Sequence, residues 1–234
     1  MKNLKLYAVI IAIFWSLPAF AQVDTTFVQA ITSPPLKADW NRVYIENVGS
    51  IDLPPTMEVQ GGKYKEFSDN MLASRGFIDS SQLIAQQRGL NEYNEQSKKY
   101  ARIMLKTDMG KYGDYEKLNF NINNYTKTDI DELDTIFKKE MQQQLSEASR
   151  LDLGKLKLIE WYPLKLKRIN GMSCFHISYI RQMNDNPLVI VDMYLFDNND
   201  RVHILTMSYK LSEVESWKND FTHVLDSFRI SNVR

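Results

Sequence analysis

From Leu156 to Tyr209 apolar and polar residues alternate with a period of two, and no other stretch constrains the fold as strongly. Leu164 to Ile169 and Ser173 to Ile180 are separated by Asn170-Gly171. That pair suits a two-residue hairpin turn, because both of its central residues must take positive φ. Leu188 to Phe196 and Arg201 to Tyr209 flank Asp197-Asn198-Asn199-Asp200, which predicts a second hairpin. Leu188 to Phe196 is apolar on both faces apart from Asp192, so cover is expected on each side of the sheet.

Two helices are written around this meander. Asp129 and Glu132 form a capping-box-like start, and Ile130, Leu133, Phe137, Met141, Leu145 and Ala148 recur at spacings of three and four. Gly154 offers a stop soon after it. Ser212 and Glu215 make a second box, S-x-x-E, ahead of the stripe Val214, Trp217, Phe221, Val224, Leu225 and Phe228. Upstream, Arg42 to Val48 alternates weakly, Gly49-Ser50 turns, and Ile51 to Leu53 enters a strand interrupted by Pro54-Pro55. Two prolines remove ladder donors, which predicts an edge or bulged strand. Gln82 to Arg88 and Tyr100 to Thr107 also read as strands. The order is strands, helix, four-strand meander, helix. It predicts an α+β fold, a largely antiparallel sheet sandwiched by helices, in one domain over 40–234 with an irregular insertion near 60–128.

Residues 1–21 read as a signal peptide. Lys2 and Lys5 precede the apolar run Leu6 to Leu17, and Ala19-Phe20-Ala21 offers the small residues that signal peptidase needs before Gln22. The apolar run falls short of the roughly 20 residues of a spanning helix. No cysteine follows the cleavage site to take a lipid. The mature chain is therefore expected to be exported, periplasmic or secreted, with no membrane span, after a leader over 22–39.

Net charge is zero, and removing Lys2 and Lys5 leaves a small negative balance with interspersed signs. Such a chain lacks the clustered positive field that a nucleic-acid partner needs. Cys174 is the only cysteine, so no intramolecular disulfide forms, and a core drawn from 44% hydrophobic residues must suffice. Short signal and missing disulfides together point to a bacterial envelope.

Catalytic signatures are sparse. There is no H-E-x-x-H, P-loop, C-x-x-C or G-x-G-x-x-G, and no cofactor is implied. Gly171-Met172-Ser173-Cys174-Phe175 begins like a nucleophile elbow, but Phe175 stands where the second glycine belongs. Cys174 and His176 are the sharper pair, since i and i+2 on a strand share a face and an imidazole beside a thiol can generate a thiolate. The competing reading is core packing, the usual lot of a free cysteine. Three histidines, at 176, 203 and 223, show no metal-ligand spacing. Asp129, Asp131, Glu132 and Asp134 read as a solvated helix start. Tyr93, Tyr100, Tyr112 and Tyr115, interleaved with Arg88 and Arg102, line either a binding groove or an exposed sheet face.

Ile169-Asn170-Gly171-Met172 crossing into a hairpin, then Arg201-Val202-His203-Ile204-Leu205-Thr206, then a closing helix ending Leu225-Asp226-Ser227-Phe228, has a familiar cadence, as has the opening Gly49-Ser50-Ile51-Asp52-Leu53-Pro54. Over about Gly154 to Ile230 the chain resembles the PsbP-like family, named for an extrinsic subunit of the photosystem II oxygen-evolving complex. The resemblance implies an antiparallel sheet between helices and a non-catalytic binding or assembly module, and it carries over no site residue. The functional expectation is thus an exported, non-enzymatic module of the cell envelope that binds an envelope protein or small ligand. The alternative is a hydrolase with a Cys/His or paired-carboxylate site.

Overall fold

The computed structural model describes residues 35–61, 81–90, 99–115, 125–150 and 155–231. The expected signal peptide, most of the leader, Gly154, Tyr93 and much of the 60–128 insertion lie outside these residues. Three strands, β1 (Asn41–Ile45), β2 (Gly49–Leu53) and β10 (Arg229–Ile230), form a small sheet in the order β1-β2-β10. Seven more form a large one: β3 (Met57–Val59), β4 (Ser81–Gln87), β5 (Ala101–Met109), β6 (Leu156–Ile169), β7 (Met172–Met183), β8 (Val189–Asp197) and β9 (Arg201–Lys210). Its order is β3-β4-β5-β9-β8-β7-β6, antiparallel throughout. Helix α1 (Lys127–Arg150) precedes β6, and α2 (Val214–Ser227) follows β9. The α+β order read from the sequence is the observed one.

The Asn170-Gly171 turn has φ of 51° and 82°, the left-handed values its residues were chosen for, and pairs Ile169 with Met172. Alternation then sorts side chains to two cores. Phe175, Ile177, Tyr179, Val191, Leu195 and Val202 meet Leu133, Phe137, Met141 and Leu145 of α1. Cys174, Tyr194, Phe196, Leu205 and Met207 point the other way, to Trp217, Phe221 and Val224 of α2 and to Ile45, Ile51 and Leu53 of the small sheet. Strand β8 is covered on both faces, as its apolar run requires.

Local chemistry departs from expectation in the starts of both helices and in β2. Helix α1 starts two residues early, because Thr126 rather than Asp129 is its cap. The Thr126 hydroxyl accepts from the Asp129 N–H at 3.2 Å, and the Asp129 carboxylate accepts from the Thr126 N–H at 2.8 Å. Those bonds hold the Asp129 carboxyl below the usual range. The Ser212–Glu215 box does not form; Leu211–Glu213 is a 3₁₀ turn and α2 begins at Val214 without a side-chain cap. Strand β2 is the central strand of the small sheet, not an edge, because it stops at Leu53 before the prolines. Its first residue is Gly49, where a Cβ would lie 1.8 Å from the Arg229 carbonyl oxygen; only glycine lets β10 pair there.

Helix α1 is fixed to the sheet by Asp134. Its Oδ1 accepts from the Trp161 indole N–H at 2.9 Å and from the Leu164 N–H at 2.7 Å. The β6–β7 register shifts between Tyr162 and Lys165, and the Leu164 amide freed there is satisfied by this carboxylate. Asp134 therefore departs from the solvated cluster expected at the start of the helix. Among the described residues no helix is long and apolar enough to cross a membrane.

Candidate functional site

Helix α1 covers one face of β6, while α2 packs on β9 and β2 on the opposite side of the sheet. The face of β6, β7 and β8 turned away from α1 is consequently where polar chemistry reaches the surface. Period-two alternation places Glu160, Tyr162, Lys165 and Lys167 of β6 there, opposite Ile180, Ser178, His176 and Cys174 of β7. Next come Asp192 and Tyr194 of β8, paired with Ser178 and His176. Lys165 and Glu160 are exposed; Lys167, Tyr162, Ser178 and Asp192 are half-buried.

His176 is 7% exposed and its Nε2 lies 2.7 Å from Asp192 Oδ1. A carboxylate only accepts, so the proton sits on Nε2, and Nδ1 is buried with no hydrogen-bond partner. The ring stacks on Tyr194, with centroids 4.5 Å apart and planes at 11°. Lys167 Nζ lies 5.4 Å from the centroid of the same tyrosine ring, a cation–π contact. Burial, then the negative charge of Asp192, pushes the Tyr194 phenol far above its ordinary value.

Cys174 shares this face but not this chemistry. It is fully buried, and burial pushes its thiol up to about 12, against which Lys167 acts only weakly. That is the opposite direction from the depressed values of reactive cysteines. The structure brings the two sequence candidates onto one strand face without a hydrogen bond from the thiol to the imidazole. The partner of His176 is Asp192, and the signal for it was in the sequence: one acid in an otherwise apolar strand.

The remaining candidates scatter. His203 pairs with Phe196 and Thr107; its Nδ1 meets Thr107 Oγ1 at 2.8 Å, and burial lowers the ring to about 4, so it stays neutral. His223 sits edge-on to Trp40 at 4.5 Å. Tyr100 and Arg102 do meet, with the guanidinium 5.8 Å from the ring centroid and the phenol 3.1 Å from Ser208 Oγ. Arg88 lies apart, with its guanidinium on the carbonyls of Pro55 and Met57. Tyr112 and Tyr115 lie beyond the other end of β5, roughly 20 Å from Arg102 at 3.3 Å per residue. Tyr112 is 88% exposed, whereas Tyr115 is buried and bridged to Asn199. The described members of this set therefore do not line one groove. Among the described residues no group of three or more His, Cys, Asp or Glu is placed to hold a metal ion.

No family model matches the chain, and comparison with curated proteins gives no match. Among solved structures it is similar to cyanobacterial PsbP from Synechocystis sp. PCC 6803, at 12% identity and a TM-score of 0.48, over 83% of this chain and 94% of that one. It is also similar to a Bacteroides thetaiotaomicron VPI-5482 protein, at 8% identity and a TM-score of 0.38, over 78% of this chain and 45% of that one. A Pseudomonas aeruginosa protein of unknown function, described as a candidate regulator, aligns over 82% of this chain and 97% of its own, at 9% identity and a TM-score of 0.32. The chain read from its sequence as PsbP-like is thus similar in structure to a cyanobacterial PsbP.

Proposed function

We propose that this protein is an exported, non-enzymatic binding or assembly module of the bacterial cell envelope, and that the β6–β8 face around His176 is its contact surface. The observation that carries the reading is the division of labour on that face. Its thiol, Cys174, is spent on packing, while its histidine is held by a carboxylate and a tyrosine. The edge strand presents long, charged and aromatic side chains there, Glu160 and Lys165 exposed, Tyr162 and Lys167 half-buried. Side chains of that kind can recognise another surface through charge pairing and ring contacts. The amino-terminal signal organisation supports export.

Alkylation tests the non-enzymatic half. Cys174 in the native protein should react slowly with iodoacetamide at neutral pH and rapidly only after unfolding. Fast native alkylation that His176→Ala slows would mark an activated thiolate and move the reading to a Cys/His hydrolase. Intact mass tests the export half, since the mature chain should begin at Gln22.

A further inference from the structure

We propose that Asp197 is a proton-controlled latch on the loop that joins β5 to Tyr115, closed when its carboxyl is protonated and loosened when it is ionised. The loop, residues 110–114, is zipped to the β8–β9 hairpin tip. Gly110 N–H donates to Asp200 O at 2.7 Å, Tyr115 N–H to Asn199 O at 2.9 Å, Asn199 N–H to Tyr115 O at 2.6 Å, and Gly113 N–H to Asn199 Oδ1 at 3.1 Å. It displays Tyr112, 88% exposed, next to Met109, 60% exposed. Asp197 lies at the base of this zipper, only 3% exposed, and its Oδ1 is buried with no hydrogen-bond partner.

The charges facing Asp197 do not neutralise it. On β9 its opposite residue is Val202, and beyond that on β5 stands Asp108, already paired with Lys106 at 2.9 Å. Arg201 projects to the other face and is bound to Asp200 at 2.8 Å. From the loop come Tyr115 and Asp114, and Asp114 accepts the Lys111 N–H at 2.6 Å. On β7 the Cys174 thiol feels the charge of Asp197, which raises it further. In the first turns of α1, Lys127 is paired with Asp131 at 2.6 Å and Asp129 with Thr126. An ionised Asp197 is therefore a buried, uncompensated charge, and it is relieved most readily by admitting water. The strands on each side are held by full ladders, whereas the loop is held by the four bonds named above, so the loop is what gives.

Burial alone pushes the Asp197 carboxyl up to about 7 from an ordinary value near 3.8. The closed form binds the proton more tightly than the open form, so closure is fully favoured below the open-form value. It is lost as pH rises, by up to tenfold per pH unit between about 4 and 7, and the loss levels off above that.

Hydrogen exchange of the full chain tests this. Protection factors, which already divide out the intrinsic pH dependence, should fall with pH for the Gly110, Tyr115 and Asn199 amides over that range. In Asp197→Asn they should stay flat. A flat wild-type profile, or an equal fall in the variant, overturns the latch. Should the variant not fold, ¹³Cγ titration of wild-type Asp197 decides: a midpoint near 7 supports the latch, and one below 5 overturns it.

Discussion

His176 is held by Asp192, not by the cysteine two residues before it: the imidazole Nε2 and the Asp192 carboxylate are 2.7 Å apart across the β7–β8 ladder. The bond spans a diagonal, since the residue directly opposite His176 is Tyr194 and the one opposite Asp192 is Ser178. That diagonal leaves the tyrosine ring free to lie flat on the imidazole. The same strand alternation that made Cys174 and His176 look like a catalytic pair also delivers the acid that takes the histidine.

Asp192→Ala should therefore destabilise the protein by about 1–3 kcal/mol, the cost of leaving a buried ring nitrogen without its partner. His176→Phe in the same background should recover part of the loss, because the buried donor is gone and the stack on Tyr194 survives. Denaturant titration of the two variants and the double variant checks the coupling.

Asp134→Ala removes the acceptor of two donors at once, the Trp161 indole and the Leu164 amide. The expected cost is about 1–3 kcal/mol. Trp161→Phe should lose less, since the amide keeps its partner. Equal losses in urea titration would mean the carboxylate does not anchor α1.

Phe221 lies 5.2 Å from the Tyr209 ring and 5.7 Å from that of Trp217, and it is 4% exposed. Phe221→Ala should cost about 3–5 kcal/mol. A loss below about 1 kcal/mol would show that α2 is peripheral to the sheet.

Gly49→Ala should unpair β10 from β2, because the new Cβ would collide with the Arg229 carbonyl. The readout is local: the Ser231 amide, which donates to Val48 O at 2.8 Å, should lose its exchange protection while β7 and β8 keep theirs.

The meander was legible because period two, Asn170-Gly171 and the four polar residues after Phe196 each act locally. The stripes of α1 and α2 were legible for the same reason. Strands β3 and β10 were not, because Met57–Val59 and Arg229–Ile230 are too short to carry a period and exist only through pairing with β4 and β2. The caps failed differently. Ser212 sits in a 3₁₀ turn that follows directly on β9, and the cap of α1 is Thr126, three residues before the acid that looks like one. At the site, His176 and Cys174 were visible as neighbours, but burial decides what a thiol does, and Asp192 became a partner only once the β7–β8 register was fixed.

The most direct test places a photo-reactive benzophenone at Lys165, on the exposed lip of the β6–β8 face, and at Thr135, on the outer side of α1, in the full chain inside its own cells. Irradiation should give a discrete higher-mass adduct from position 165 and none from 135. Adducts of equal yield from both positions, or none from 165, would contradict the assignment of this face as the contact surface.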